Sequence, residues 1–298
     1  MNKGKDPAIA YFCMEFGLHQ DFPIFSGGLG ILAGDYLKAA REEGFPVVGI
    51  GILWRKGYTC QYINGNGIPY DVFPEYKFDF LKDTGIKIQV GIKKQPVTCK
   101  VWMVDKFDNA PLYLLDADLP ENKEPWITHS LYSGTGDDRI AQEIILGIGG
   151  IRALRALGLN IDLYHFNEGH AVLAGVELIR EKIATGLSFE QALKSTRKEI
   201  VFTTHTPVPA GNESHDHRAL SYVGAYNGLS YQQMKRIGGE PFNMTVAGLR
   251  LASITNAVAK LHGETARMMW KNVTDSSPII SITNGVHRNT WQDYGELH

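Results

Sequence analysis

The sequence predicts an α/β fold: a Rossmann-like, doubly wound sheet with helices on both faces and one β-rich insertion. Three observations carry this. Short apolar runs alternate with helix-spaced segments along most of the chain. Those runs are continuous rather than alternating, as strands covered on both faces are. Clusters of glycine, amide and imidazole residues recur just after them.

The first run, Ala8 to Met14, reads as a buried strand, and Leu29 to Glu43 has helical spacing that ends at Gly44 with Pro46 beyond. Pro46 to Leu53 is a second strand, which makes the opening unit β-loop-α-β. From about 57 to 117 the texture changes to short alternating runs (Ile86 to Ile92, Val97 to Val104, Pro111 to Leu115) and an Asn64-Gly65-Asn66-Gly67 turn, as in a hairpin-built insertion. A long helix is predicted from Asp137-Asp138 to Leu157, acidic at its start and basic at its end. Then come a strand at Ile161 to Phe166, helices at Glu168 to Ala184 and Ser188 to Lys198, and a strand at Ile200 to Thr204. Helices near Tyr231, at Met244 to Val258 and at Lys260 to Lys271 precede a last strand, Pro278 to Thr283. No repeat is present, and residues 1–298 read as one Rossmann-like domain.

Composition narrows the function. Of 298 residues, 44% are hydrophobic and 21% charged, and 30 Lys+Arg against 32 Asp+Glu leave a net charge of −2. That balance argues against nucleic acid or an anionic membrane as partner. No apolar run reaches the ~20 residues of a membrane span. The N-terminal MNKGKDPAIAYF lacks the apolar stretch of a secretory signal. Three separated cysteines, Cys13, Cys60 and Cys99, make neither a disulfide framework nor a zinc site, so a cytoplasmic protein is expected.

In an open α/β sheet, ligands bind beyond the carboxyl ends of the strands. There the sequence places Ser26-Gly27-Gly28-Leu29-Gly30, Asn167-Glu168-Gly169-His170, the His205 to Gly211 stretch, and Asn284-Gly285-Val286-His287. The glycine cluster opens a helix, where free amides and the dipole attract anions, although it also serves as a tight turn. His205 is suited to hydrogen-bonding a ligand. The side chain of Asn167 reads first as a cap for the helix that follows, and Asn284-Gly285 is by itself a turn signal. His215-Asp216-His217, with Glu213 nearby, reads as a solvated polar loop rather than a metal site, and no metal is expected. Gly28-x-Gly30-x-x-Ala33 matches the dinucleotide fingerprint, but the preceding loop is long and the second strand ends at Leu53-Trp54-Arg55 with no ribose-binding acid. There is no Gly-x-Ser-x-Gly elbow and no Walker loop.

These clusters, with Tyr11 to Gly17, Gln142 to Gly158, Phe242 to Thr245, Lys260 to Glu264 and Trp291, resemble the α-glucan (glycogen, starch or maltodextrin) phosphorylases in order along nearly the whole chain. The region from Gly57 to Ala117 resembles them only loosely. The resemblance implies the N-terminal half of a two-domain, GT-B type glycosyltransferase that releases glucose 1-phosphate from α-1,4-glucan and inorganic phosphate with retention. It further implies pyridoxal phosphate held by a lysine of the C-terminal half, with none bound by this chain alone. By matching motif, Gly27, Gly28 and Leu29 would line the phosphate and glucosyl site, and His205, the expected catalytic residue, and Asn284 would contact the glucosyl unit. His170 and Glu15 would lie in the same cleft. Expected partners are the glucan, phosphate, glucose 1-phosphate and a C-terminal half or a second copy. The lysine that precedes the Gly-Gly pair in ADP-glucose-dependent synthases is replaced by Phe25-Ser26, which favours phosphorylase. The alternative is a non-catalytic glucan or sugar-phosphate binding module of the same descent; a nicotinamide-dependent oxidoreductase is the remote third.

Overall fold

A nine-stranded sheet organises the computed structural model, which describes residues 8–208 and 211–292. β1 (Ile9–Phe12), α1 (Gly28–Glu42) and β2 (Val47–Ile52) form the opening unit, followed by β3 (Cys60–Ile63), β4 (Pro69–Val72), β5 (Lys82–Ile92), β6 (Gln95–Val104) and β7 (Leu112–Asp116). The long central helix is α2 (Gly136–Ile144), a π-helical turn at Ile145–Gly149, and α3 (Gly150–Ala156). Next come β8 (Leu163–Asn167), α4 (Leu173–Ala184), α5 (Phe189–Arg197) and β9 (Ile200–Thr204). β10 (Ser214–His215), α6 (His217–Val223), α7 (Tyr231–Gly238), β11 (Phe242–Asn243) and α8 (Met244–Leu251) lead to β12 (Ile254–Ala257), α9 (Lys260–Met269), β13 (Ile279–Ser281) and α10 (Arg288–Trp291).

The strand order is β13-β12-β9-β8-β1-β2-β7-β6-β5. From β13 to β7 all pairs are parallel, and β6 and β5 add an antiparallel edge. β1 and β8 are neighbours, yet the chain goes from β1 to β2 on one side and from β8 to β9 on the other. The crevice of a doubly wound sheet opens at such a switch point, beyond the carboxyl ends.

Local chemistry explains why the elements sit where they do. Thr135 and Asp138 form a capping box for α2, as Ser188 and Gln191 do for α5. On β2, Gly49 and Ile50 point to opposite faces. A Cβ on Gly49 would meet Leu37 of α1 at 2.8 Å, whereas Ile50 and Phe12 meet the place a Cβ on Gly150 would take, at 2.7 and 2.6 Å. Thus α1 lies on one face and the central helix on the other. Gly147 lets that helix approach the α4 backbone, since a Cβ there would stand 2.5 Å from the Ala174 nitrogen.

The segment at 57–117 is β-rich and built from antiparallel pairs; β5, β6 and β7 extend the main sheet, and only the β3–β4 hairpin leaves it. Elsewhere the sequence expectations need three corrections. The predicted helix Met244 to Val258 stops at Leu251, and Ile254–Ala257 is an internal strand between β9 and β13. Its small, β-branched Ile254-Thr255 core had been absorbed into the helical spacing ahead of it. The helix expected from Glu168 begins with a 3-10 turn at Gly169–Ala171, because Glu168 itself has φ 70°. Helices do occupy both faces, but unequally. Over β1 and β2, Tyr36 of α1 stacks on Tyr11 at 4.4 Å; farther out on that face, Leu163, Val201 and Ile254 are only half-buried, and Ile280 is 39% exposed.

Candidate functional site

The crevice at the switch point is a cleft of about 420 Å³ lined by Leu29, Arg139, Glu168 to His170, His205, Thr206, Gly211 to Glu213, Met244 and Thr245. It therefore draws on the start of α1, the ends of β8 and β9, and the start of α8. Pro209 and Ala210, in the loop after His205, lie outside the described residues.

His205 is fixed from two directions. Its ring Nε2 is 2.6 Å from Asn167 Oδ1 and its backbone N–H donates to Glu168 Oε2 at 2.8 Å. Asn167 Nδ2 donates to Cys13 Sγ, so its oxygen accepts and the proton sits on Nε2. That leaves Nδ1 as an acceptor. Burial, and then the neighbouring His262, lower the His205 pKa to about 4, so the ring is neutral at pH 7 and a weak base. Asn167, expected to cap a helix, instead orients this imidazole. Glu168 is strained at φ 70°, and its carboxylate also receives Gly169 N–H and the Thr206 hydroxyl. Burial raises its pKa against those hydrogen bonds.

Glu15 does not present a free carboxylate. It accepts from the backbone N–H of Ser26 at 2.6 Å and of Gly27 at 3.1 Å, and from Tyr132 Oη at 2.6 Å. The Gly27 amide is thereby taken, and the amides left open at the start of α1 are those that follow it, among them Gly28 and Leu29. Gly28 is exposed, and a Cβ there would meet nothing within 4 Å. Leu29 lines the cleft.

His170 lines the cleft. Burial, and then Arg139, hold its pKa near 4. Its Nδ1 is buried without a partner among the described residues, as is Arg139 Nη1. Asn284 stands apart: it is exposed, its amide donates to Val258 O at 3.0 Å, and it is not among the lining residues.

The sequence reading missed one wall. Arg139 pairs with both oxygens of Glu213 at 3.2 Å and lies 4.9 Å over the Tyr132 ring. Behind it, His215 Nε2 is 2.9 Å from Glu143 Oε2. The expected solvated loop is thus corrected. His215 and His217 are both buried, and the latter is held between Tyr226 Oη and Gly239 O. Glu143, Glu213 and His215 bring ligand-type atoms within 4.8 Å of one another. Arg139 already neutralises Glu213, however, and His215 is spent on Glu143, which makes this an ion-pair cluster. Burial pushes Glu143 up to about 7, while Arg139 overcomes burial and draws Glu213 down to about 2. Only the acidic-basic pattern at Asp137 to Glu143 hinted at this wall, and it was read as a helix dipole.

No protein-family model matches the chain. Over 97% of its length it is 39% identical to the maltodextrin phosphorylase of Thermococcus litoralis, of which it covers 37%. Over 95% it is 39% identical to an uncharacterised protein of Methanocaldococcus jannaschii, covering 54% of that protein. It is 38% identical over 95% to the glycogen phosphorylase of Mycobacterium tuberculosis, covering 37%. The chain therefore spans about half or less of these curated relatives.

Proposed function

We propose that this chain, a homologue of the maltodextrin and glycogen phosphorylases over nearly its whole length, is the N-terminal, glucosyl- and phosphate-facing half of a GT-B type α-glucan phosphorylase. The carrying observation is the cleft at the switch point, which a neutral, oriented His205 lines together with Leu29 at the start of α1. A glucosyl hydroxyl would donate to His205 Nδ1. Inorganic phosphate would approach the Gly28 and Leu29 amides, with the unpartnered Arg139 Nη1 as a further N–H donor in the same cleft. In phosphorolysis a hydrogen phosphate oxygen bonds to the anomeric carbon, the bond to the glucan O4 breaks, and O4 takes the proton that the hydrogen phosphate carried, which gives glucose 1-phosphate and a glucan one unit shorter. His205, neutral at pH 7 and with its Nε2–H held by Asn167, does not supply that proton. Its contribution is to hold the sugar where charge develops.

Among the described residues no lysine lines the cleft, so these residues do not fit a Schiff base to pyridoxal phosphate. That chemistry would fall to the complementary half. Asn284 would reach the sugar only from outside the cleft lining. None of the described helices is long and apolar enough to cross a membrane, and three free thiols suit a cytoplasmic location.

Mixing the purified chain with the C-terminal remainder of the Thermococcus litoralis relative tests this proposal. Glucose 1-phosphate release from maltodextrin and phosphate is expected from the mixture and not from either part. His205→Ala should reduce it by about 100-fold, the size of a lost positioning contact. Equal release with His205→Ala would refute the assignment.

A further inference from the structure

β3 and β4 form a hairpin that leaves the sheet just after β2, on the carboxyl-end rim where the cleft opens. Tyr62 and Tyr70 are direct cross-strand partners, so both rings project from one side. Their centroids are 6.0 Å apart with planes 31° from parallel, and they are 53% and 48% exposed. Two strands cannot bury such a surface by themselves. An exposed aromatic pair with no packing role marks a binding surface.

The base of the hairpin is linked to the cleft wall by ring contacts. Tyr58, at its base and 40% exposed, meets Tyr132 edge-on at 6.3 Å. Tyr132 donates to Glu15, and its ring lies 5.9 Å from that of His170 in the cleft wall. Ring contacts thus run from His170 through Tyr132 to Tyr58, two residues before β3.

We infer that the β3–β4 hairpin is an auxiliary platform for an α-glucan chain whose end lies in the cleft. This rests on the glucan reading given above. A pyranose ring presents an apolar C–H face and a rim of hydroxyls, which a tyrosine matches with an apolar face and one polar tip. Continuity with the cleft favours a glucan over a second copy of the chain, which would not need the rings to lead there. A glucan held at two places gains from the raised effective concentration of the second contact.

The test uses the intact chain and the doubly substituted Tyr62→Ser/Tyr70→Ser protein, whose changes lie at exposed positions that leave the fold intact. Native electrophoresis through gels cast with glycogen reads glucan affinity, and NMR titration of the His205 ring with glucose 1-phosphate reads the cleft. The double substitution should weaken glycogen retardation by about tenfold, equivalent to ~1.4 kcal/mol, and leave the titration unchanged. Equal retardation of the two proteins overturns the platform. So does the absence of retardation in the wild type, and a persisting glucose 1-phosphate response then leaves the cleft assignment standing. Loss of both signals in the wild type removes the glucan reading itself. Self-association in glycogen-free sedimentation that the double substitution abolishes would assign the hairpin to a second copy instead.

Discussion

At the scale of single residues, the cleft depends on two unlike requirements, a neutral imidazole and an uncluttered helix start. Burial puts the His205 pKa near 4, below the ~6.5 of an unfolded histidine. Such a group contributes stability that is present above the unfolded value and lost as pH falls through the folded one. The Nε2-protonated, neutral ring should therefore persist at pH 6 in long-range ¹H–¹⁵N spectra, and a midpoint near 6.5 would show that the ring is not buried. The glycines of α1 differ in the same way. At Gly30 a Cβ would stand 2.5 Å from Phe25 Cβ and 2.7 Å from Glu15 Oε2, whereas at Gly28 it would meet nothing. Gly30→Ala should then cost about 1–3 kcal/mol in urea unfolding by overpacking. Gly28→Ala should stay within ~0.5 kcal/mol while weakening phosphate binding, because the methyl shields the amide. Equal stability of the two variants would mean that Glu15 does not organise this turn.

At the scale of elements, one carboxylate ties three segments together. Glu177 of α4 receives Arg152 of α3 at 2.9 Å, Arg180 at 2.7 Å, and the Asn227 amide. Burial raises its pKa, but those partners outweigh burial and draw it down to about 2. A depressed carboxylate contributes stability above its unfolded pKa that is lost as pH falls from about 4.5 through 2. Glu177→Gln should lower stability at pH 7 by about 2 kcal/mol, less than a fully buried pair because both guanidinium groups keep partial access to water. The deficit should narrow between pH 7 and pH 3, and a constant deficit would show that packing alone is responsible. Such long-range ties are invisible to periodicity, as was β12. The opening β-α-β unit was legible because its strand, glycine stop and Pro46 agree at every level. Ile254–Ala257 was not, because four residues after a helix carry too little pattern to separate strand from helical continuation.

At the scale of the molecule, the site was legible in its parts and not in its assembly. The rule that ligands gather beyond the strand ends located His205, His170 and Leu29. It could not show that Glu15 would cover the Gly27 amide, that Asn284 would stand apart from the cleft lining, or that Arg139 and Glu213 would close one wall, since each depends on how distant segments pack. Among the described residues, the same packing leaves the α1 face uncovered from β8 outward, where Leu163, Val201 and Ile254 are half-buried and Ile280 and Ile282 are 39% and 54% exposed. Helices seal the other face, so this edge contributes little to the chain's own core. It is continuous with the strands that carry His205. We therefore predict that Ile280→Ser with Ile282→Ser shifts the unfolding free energy by no more than ~0.5 kcal/mol per site, as surface changes do. The same pair should reduce by at least tenfold the affinity for the complementary half in the mixing assay, since losing two well-buried aliphatic side chains from an interface removes about 2 kcal/mol or more. A large loss of stability in the isolated chain would place these residues in its own core, and undiminished complementation would mean that the second half docks elsewhere.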